Sequence, residues 1–223
     1  KATGVAPSNI AFIKYWGKTD PKLNLPFNDS LSMNLSGCVT TTQVVFDPTL
    51  SRDRVLVNRR VMDGDKKQRV VDVLDVVRKE AKIKTKAVVD SQNYFPSDAG
   101  IASSAAAFSA LALAASRAAG LNLSLKELSI LARLGSGSAC RSVVDGFAWW
   151  KKGTSSATSY AVQLAPPHYW DLVDIVAVVS HEEKKASSTV GHEGAVSSPY
   201  FRWRLKELPA RIGRMKEAIL KKN

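Results

Sequence analysis

Apolar positions recur along this chain at two spacings, and each change of spacing marks an element. In Val39-Thr-Thr-Thr-Gln-Val-Val-Phe46 β-branched residues dominate and the run stops at Asp47-Pro48, which predicts a strand and then a turn. Residues 54–58 predict a second strand, followed by a turn signal at Asp63-Gly64. From Lys66 the spacing lengthens. Val70, Val73, Leu74, Val77 and Ala81 fall on one helical face, with Asp72, Asp75, Arg78 and Lys79 on the surface. Residues 87–91 read as a short strand and 93–100 as a loop. A helix of small residues then runs from Ser103 to about Ala119, closed by Gly120. Ser124-Leu-Lys-Glu127 has capping-box spacing and opens a helix through Arg133.

Further on, residues 147–164 predict a hairpin, with FAWWKKG and SYAVQL on either side of a polar turn. Pro166-Pro167 interrupts that pattern. The unbroken apolar run 172–179 predicts a buried strand, 180–199 a polar loop, and 200–223 a basic helical tail that Pro209 breaks in two. Strands and helices mix without strict βαβ alternation, which makes α+β the expected class. The proline pair is the expected boundary, giving an N-terminal domain over 1–166 and a second, begun over 167–223.

Composition narrows the picture. With 223 residues, 45% hydrophobic and 23% charged, the chain has enough apolar side chain for a real core, which excludes global disorder. Lys+Arg 32 against Asp+Glu 20 gives +12, so a polyanionic partner is expected; charge alone leaves nucleic acid, an acidic membrane and phosphorylated small molecules open. The basic residues are scattered and form no nucleic-acid recognition motif. Cys38 and Cys140 are too few for a disulfide framework or a four-ligand zinc site and read as reduced thiols. The longest apolar stretch, 101–113, is interrupted by Ser103, Ser104 and Ser109 and is too short for a membrane span. A soluble, cytoplasmic protein is expected.

Three stretches carry candidate chemistry. Pro96-Ser-Asp-Ala-Gly-Ile-Ala-Ser-Ser-Ala105 places small residues and two hydroxyls ahead of an alanine-rich helix, so backbone N–H groups and the helix N-terminus can approach an anion. Ser103 and Ser104 can donate to phosphate oxygens, and one of them can hold Mg²⁺; an ordinary capped helix with solvent-facing serines is the alternative. Gly135-Ser-Gly-Ser-Ala-Cys-Arg-Ser142 repeats the theme and adds Arg141, whose planar fork suits carboxylate or phosphate. A flexible linker would not run straight into the core-like VVDGFAWW. Asn9-Ile-Ala-Phe-Ile-Lys-Tyr-Trp-Gly-Lys18 presents Lys14 and Lys18 around two aromatic residues and a glycine.

Together these stretches resemble the mevalonate diphosphate decarboxylases of the GHMP kinase superfamily. The shared signatures are AxxNIAxxKYWGK, FPxxAGxASSAA and GSGSACRS, with SSTVG over 187–191 as a fourth block, in register from about Ala6 to Pro199. The resemblance implies a GHMP-kinase-like fold: a ribosomal-protein-S5-domain-2-like α/β domain, then the start of a ferredoxin-like C-terminal domain. It also implies ATP and Mg²⁺ as cofactors. The implied reaction phosphorylates the 3-hydroxyl of 5-diphosphomevalonate, then loses phosphate and CO₂ to give isopentenyl diphosphate in isoprenoid biosynthesis. By position, Lys14, Tyr15 and Lys18 line the substrate pocket, with Lys14 near the transferred phosphoryl group. Ser136 and Ser138 face the diphosphate, Arg141 the carboxylate, and Thr189 the substrate phosphate or the transferring group; Arg69 is a further diphosphate candidate or a solvated helix residue. Pro96, Gly100, Ala102, Ser103 and Ser104 lie at the ATP phosphates, with Ser104 on Mg²⁺, and Lys14, Ser104 and Arg141 form the implied catalytic set. A homodimer binding these two small molecules, without nucleic acid or membrane, is the expected assembly.

The chain departs from the family at Asp98 and Ala107, where alanine and glycine are usual, and at His192, where methionine is usual. The family's aspartate base lies in a D-A-G-P-N-like block that does not occur in these residues; Asp98-Ala-Gly belongs to the phosphate loop. The chain thus resembles the family without its C-terminal portion, and as written it is expected to lack turnover. Neighbouring readings are a decarboxylase of the monophosphate and a mevalonate 3-kinase. A short, non-catalytic nucleotide- or polyanion-binding paralogue is the reading from another class.

Overall fold

The computed structural model describes residues 1–96, 102–177 and 188–223. In chain order the strands and helices are β1 (Ala2–Ile13), β2 (Lys18–Asp20), β3 (Leu25–Pro26), β4 (Ser30–Asp47), β5 (Arg54–Val57), β6 (Arg60–Val61), α1 (Gly64–Ala81) and β7 (Lys86–Asn93). There follow α2 (Ser103–Ala118), α3 (Leu125–Gly135), a 3₁₀ turn (Gly137–Val143), β8 (Phe147–Trp150), β9 (Ala161–Ala165), α4 (Ser188–Ala195) and α5 (Phe201–Lys221). The class is α+β, as the pattern predicts.

β4 organises the sheet, whose order is β6-β5-β7-β4-β8-β9 with β1 also on β4. Its Thr40–Asp47 half pairs with β7 and its Ser30–Met33 end with β8, while β1 runs antiparallel along it from Ala2↔Val44 to Ile13↔Leu31. Pro7, which has no N–H for a ladder, sits at a register shift. Among the described strands only β5 and β7 pair in parallel, through the α1 crossover.

Helices cover both faces. On one, Val73, Leu74 and Val77 of α1 meet Val44, Val55 and Val89 of the sheet. α2 lies beside them, with Ala105, Ala106, Ala110, Ala112, Ala114 and Ala115 fully buried because the helix is also covered by α3. On the other face, Leu208, Ile212 and Ile219 of α5 pack on Leu31, Met33 and Phe147. The period of two in β4 therefore sends Leu31 and Met33 towards α5 and Ser30 towards the 3₁₀ turn.

Several expectations change. The hairpin after β5 turns at Asn58 and Arg59, both at positive φ (50° and 65°), and Asp63 is the N-cap of α1 rather than a turn residue. Arg78 is buried instead of on the surface, because its guanidinium meets Asp53. Over 172–177 there is no strand: Val173 and Ile175 are 80% and 88% exposed, since no described strand lies alongside to pair with them. Within the expected polar loop, residues 188–195 are helical as α4. Pro209 lies inside a continuous α5; the bond to the Leu205 carbonyl is forgone, while the apolar stripe on either side of the proline keeps the helix seated. The α2 and α3 expectations hold, with both hydrogen bonds of the Ser124–Glu127 capping box formed.

Candidate functional site

The 3₁₀ turn starts where α3 ends and buries Arg141 to 4% exposure. Nη1 of Arg141 donates to Ser30 Oγ at 2.7 Å, while Nε and Nη2 donate to Asn9 Oδ1 at 3.2 and 2.9 Å. Asn9, on β1, is held by its own Nδ2, which donates to Ser142 Oγ (2.8 Å) and the Ser138 carbonyl (3.2 Å). The guanidinium also lies 6.0 and 5.8 Å from the ring centres of Tyr15 and Trp150. Among the described residues no carboxylate pairs with it. Burial lowers its pKa, but an arginine stays cationic, so this is a desolvated positive charge matched only by dipoles and ring faces. A guanidinium without a carboxylate partner has the chemistry to meet an anion through its remaining N–H groups.

Tyr15 stands next to it, edge-to-face on Trp150 (4.7 Å) and stacked on His192 of α4 (4.4 Å, 19°). Burial pushes its pKa up to about 12 against the pull of Arg141, so the phenol keeps its proton and can donate. The fit is close: a Cβ on Gly137 would lie 2.5 Å from the Tyr15 hydroxyl, so only glycine allows the turn to pass. Burial, with Lys18 second, lowers the His192 pKa to about 4, which leaves the imidazole neutral. Its Nδ1 is buried without a hydrogen-bond partner among the described residues.

Beyond the 3₁₀ turn opens a cavity of about 670 Å³, lined by Asn58, Lys66, Arg69, Phe95, Ser103 and Ser104 among others. Ala102 caps α2 in the left-handed region (φ 45°), a strained conformation for alanine, and turns the chain into the helix there. Ser103 is half-buried and Ser104 exposed on the first helical turn, with the positive end of the helix behind them. Ser104 Oγ lies 3.3 Å from Ser136 Oγ, so the cavity and the Arg141 turn share an edge. Arg69 closes that edge, donating to the Gly135 carbonyl at 2.7 Å and lying 4.9 Å over Phe108.

Most of the expected residues converge. Ser136, Ser138, Arg141 and Tyr15 surround one spot, and Pro96, Ser103, Ser104 and Arg69 line the adjoining cavity. Lys18 opens β2 close enough to act on His192. Lys14 is exposed and borders a separate groove of about 370 Å³ against α5. Thr189 lies in α4, and Gly100, like Asp98, falls outside the described residues. Both cysteines are free, and burial raises the Cys140 thiol to about 12, which makes it inert. The sequence reading missed Asn9 and Ser30, which orient Arg141. A buried asparagine in an otherwise apolar strand was the available signal for the first; nothing local marks the second.

A family model for the diphosphomevalonate decarboxylase-like N-terminal domain matches residues 6–161, and one for the mevalonate 5-diphosphate decarboxylase C-terminal domain matches 174–223. Diphosphomevalonate decarboxylase of Debaryomyces hansenii is 36% identical over all of this chain, which spans 62% of that relative's length. The crystal structure of mevalonate diphosphate decarboxylase from Staphylococcus aureus superimposes with a TM-score of 0.89 at 38% identity, covering 99% of this chain and 68% of that one. The complex of MDDEF with MVAPP, AMPPCP and magnesium gives 0.90 at 38% identity, over 100% of this chain and 68% of that one. Among the described residues no helix is long and apolar enough to cross a membrane, and no three His, Cys, Asp or Glu side chains cluster as metal ligands.

Proposed function

The chain belongs to the diphosphomevalonate decarboxylase family, and from that premise we propose that it serves the ATP-dependent conversion of 5-diphosphomevalonate to isopentenyl diphosphate. The observation that carries this reading is Arg141, a buried guanidinium fork with no carboxylate of the described chain against it. It takes the substrate carboxylate, while Ser136, Ser138, Lys18 and Tyr15 donate to the phosphorylated end. ATP occupies the cavity at Ser103, Ser104 and Arg69, with its phosphates at the α2 N-terminus. The Ser104–Ser136 contact then brings the γ-phosphate beside the substrate.

In the first step a bond forms between the γ-phosphorus and the 3-hydroxyl oxygen, and the γ-phosphorus–oxygen bond to ADP breaks with its electron pair on ADP. The hydroxyl proton passes to a general base, the task the resemblance gives to the family's aspartate. In the second the C3–O bond breaks with its electron pair on phosphate. The C1–C2 pair becomes the C2=C3 double bond, and C1 departs as CO₂. Arg141 orients the carboxylate from a fixed position, so no side chain has to reorganise as charge moves. Lys14 and Thr189 are the remaining candidates: Lys14 borders the groove against α5, and Thr189 belongs to α4.

Mg²⁺ suits the donors present. A lone hydroxyl such as Ser104, with no carboxylate cage among the described residues, matches an ion held mainly by substrate phosphates and water. When bound, it would neutralise charge on the phosphate oxygens.

The test is to measure ADP and CO₂ formation with MgATP and mevalonate, 5-phosphomevalonate or 5-diphosphomevalonate, in the intact protein that carries this sequence. CO₂ release with the diphosphate is expected. Release only with the monophosphate, ADP without CO₂ from mevalonate, or nucleotide binding without any turnover would each replace this reading by one of its neighbours.

A further inference from the structure

The candidate substrate residues Lys14, Tyr15 and Lys18 sit on a segment that the sheet does not hold. β1 stops pairing at Ile13 and β2 begins at Lys18, so residues 14–17 have no ladder of their own. Contacts from α4 and α5, far along the chain, hold them instead, one residue after another, with Asn28 and Phe27 assisting. The Lys14 carbonyl accepts from Nη2 of Arg204, on α5, at 2.7 Å, and from Asn28 Nδ2 at 3.3 Å, while Arg204 Nη1 reaches Asn28 Oδ1 at 3.4 Å. The Tyr15 ring is stacked by His192. Trp16 lies against the same imidazole (5.2 Å) and over Gly191, where a Cβ would come within 3.1 Å of the indole. Gly17, at φ +73°, passes so close to Phe201 and Phe27 that a Cβ would meet them at 3.0 and 3.1 Å.

We propose that Arg204 and His192 are positioning residues: α4 and α5 clamp the segment 14–18 and so set the place of the substrate-binding side chains it carries. This rests on the functional reading above, since it assigns a task to groups that reading puts on the substrate. The geometry is that of a backbone stretch over-determined from outside. Arg204 and Asn28 saturate the one carbonyl that fixes the peptide after Lys14, and the His192 ring fixes the plane of Tyr15 against Arg141. Loss of either contact leaves the binding groups present but displaced, and displacements of this kind cost affinity and rate far from the altered residue. Among the described residues the candidate nucleotide cavity is lined from α1, α2 and the sheet, with none from α4 or α5.

The experiment compares affinities for 5-diphosphomevalonate and for a non-hydrolysable ATP analogue in the intact protein and in Arg204→Met. The expected result is a loss of about tenfold or more for the mevalonate ester, with nucleotide affinity held within about twofold. Arg204→Lys should recover part of the loss, because an ammonium can still donate one bond to the Lys14 carbonyl. Unchanged ester affinity in Arg204→Met, with Arg141→Lys weakened, overturns the clamp and leaves the functional reading standing. Unchanged ester affinity in Arg141→Lys as well overturns that reading too. If Arg204→Met loses its cooperative thermal transition, His192→Leu decides the matter, since it removes the stack without touching the α5 hydrogen bonds. Ester affinity lost with nucleotide affinity kept supports the clamp, and equal affinities overturn it.

Discussion

Burial acts in opposite directions on the ionisable groups around Tyr15. It raises the phenol to about 12, lowers the imidazole of His192 to about 4, and leaves Arg141 the charged member at neutral pH. The histidine has a consequence for stability. Its ordinary value is 6.5, so between about 4 and 6.5 the unfolded chain binds a proton that the folded chain refuses. Stability should therefore rise with pH across that window and be insensitive to this group above it. Urea melts of the parent and of His192→Leu test this: the parent should lose stability faster as pH falls from about 6.5 towards 4, and parallel curves would contradict it. At this scale the sequence singled out candidate residues but not how they are held. GSGSACRS marks Arg141, yet its partners Asn9 and Ser30 lie 132 and 111 positions away, and no local pattern records such distances. His192 stood out only as a departure from a motif, and its stack on Tyr15 is a tertiary fact.

Helix α1 shows how a periodic pattern can be right about an element and wrong about a residue in it. Val70, Val73, Leu74 and Val77 turn inward as their spacing predicts. Arg78 falls on that same stripe, four after Leu74, and is carried inside with them. Nη2 of Arg78 donates to Asp53, Nη1 to Asp75 at 2.7 Å, and Nε to the Thr85 carbonyl at 2.9 Å; Asp53 also accepts from the Ala87 N–H at 2.7 Å. One aspartate thus ties α1 to the start of β7. Asp53→Ala should cost about 3–5 kcal/mol, the range for stranding one member of a buried ion pair, read as a shift in urea midpoint; a loss within the ordinary surface range of about 0.5 kcal/mol would show that water reaches the arginine. The misread elements share a cause. An apolar run such as 172–177 states what a segment could bury, whereas a strand also needs neighbours. Pro209 states where one hydrogen bond is missing, whereas α5 is kept whole by the core beneath it.

For the whole molecule, the fold brings together residues that lie far apart in the sequence. β1 and β4 supply Asn9 and Ser30, the turn after α3 supplies Arg141, α2 supplies Ser104, and α4 and α5 close over the segment 14–18. The +12 charge suits the two adjoining sites proposed for polyanionic small molecules. The central claim is that these sites are separate but touching, with nucleotide at Ser103 and Ser104 and phosphorylated mevalonate at Arg141. Calorimetric titration of 5-diphosphomevalonate and of a non-hydrolysable MgATP analogue into the parent, Ser104→Ala and Arg141→Lys tests it most directly. Arg141→Lys should weaken the mevalonate ester by about 1.5–3 kcal/mol, the worth of hydrogen bonds to a charged group, and spare the nucleotide, while Ser104→Ala should weaken the nucleotide more than the ester. The reverse pattern, or a parent chain that binds neither ligand, would contradict the account.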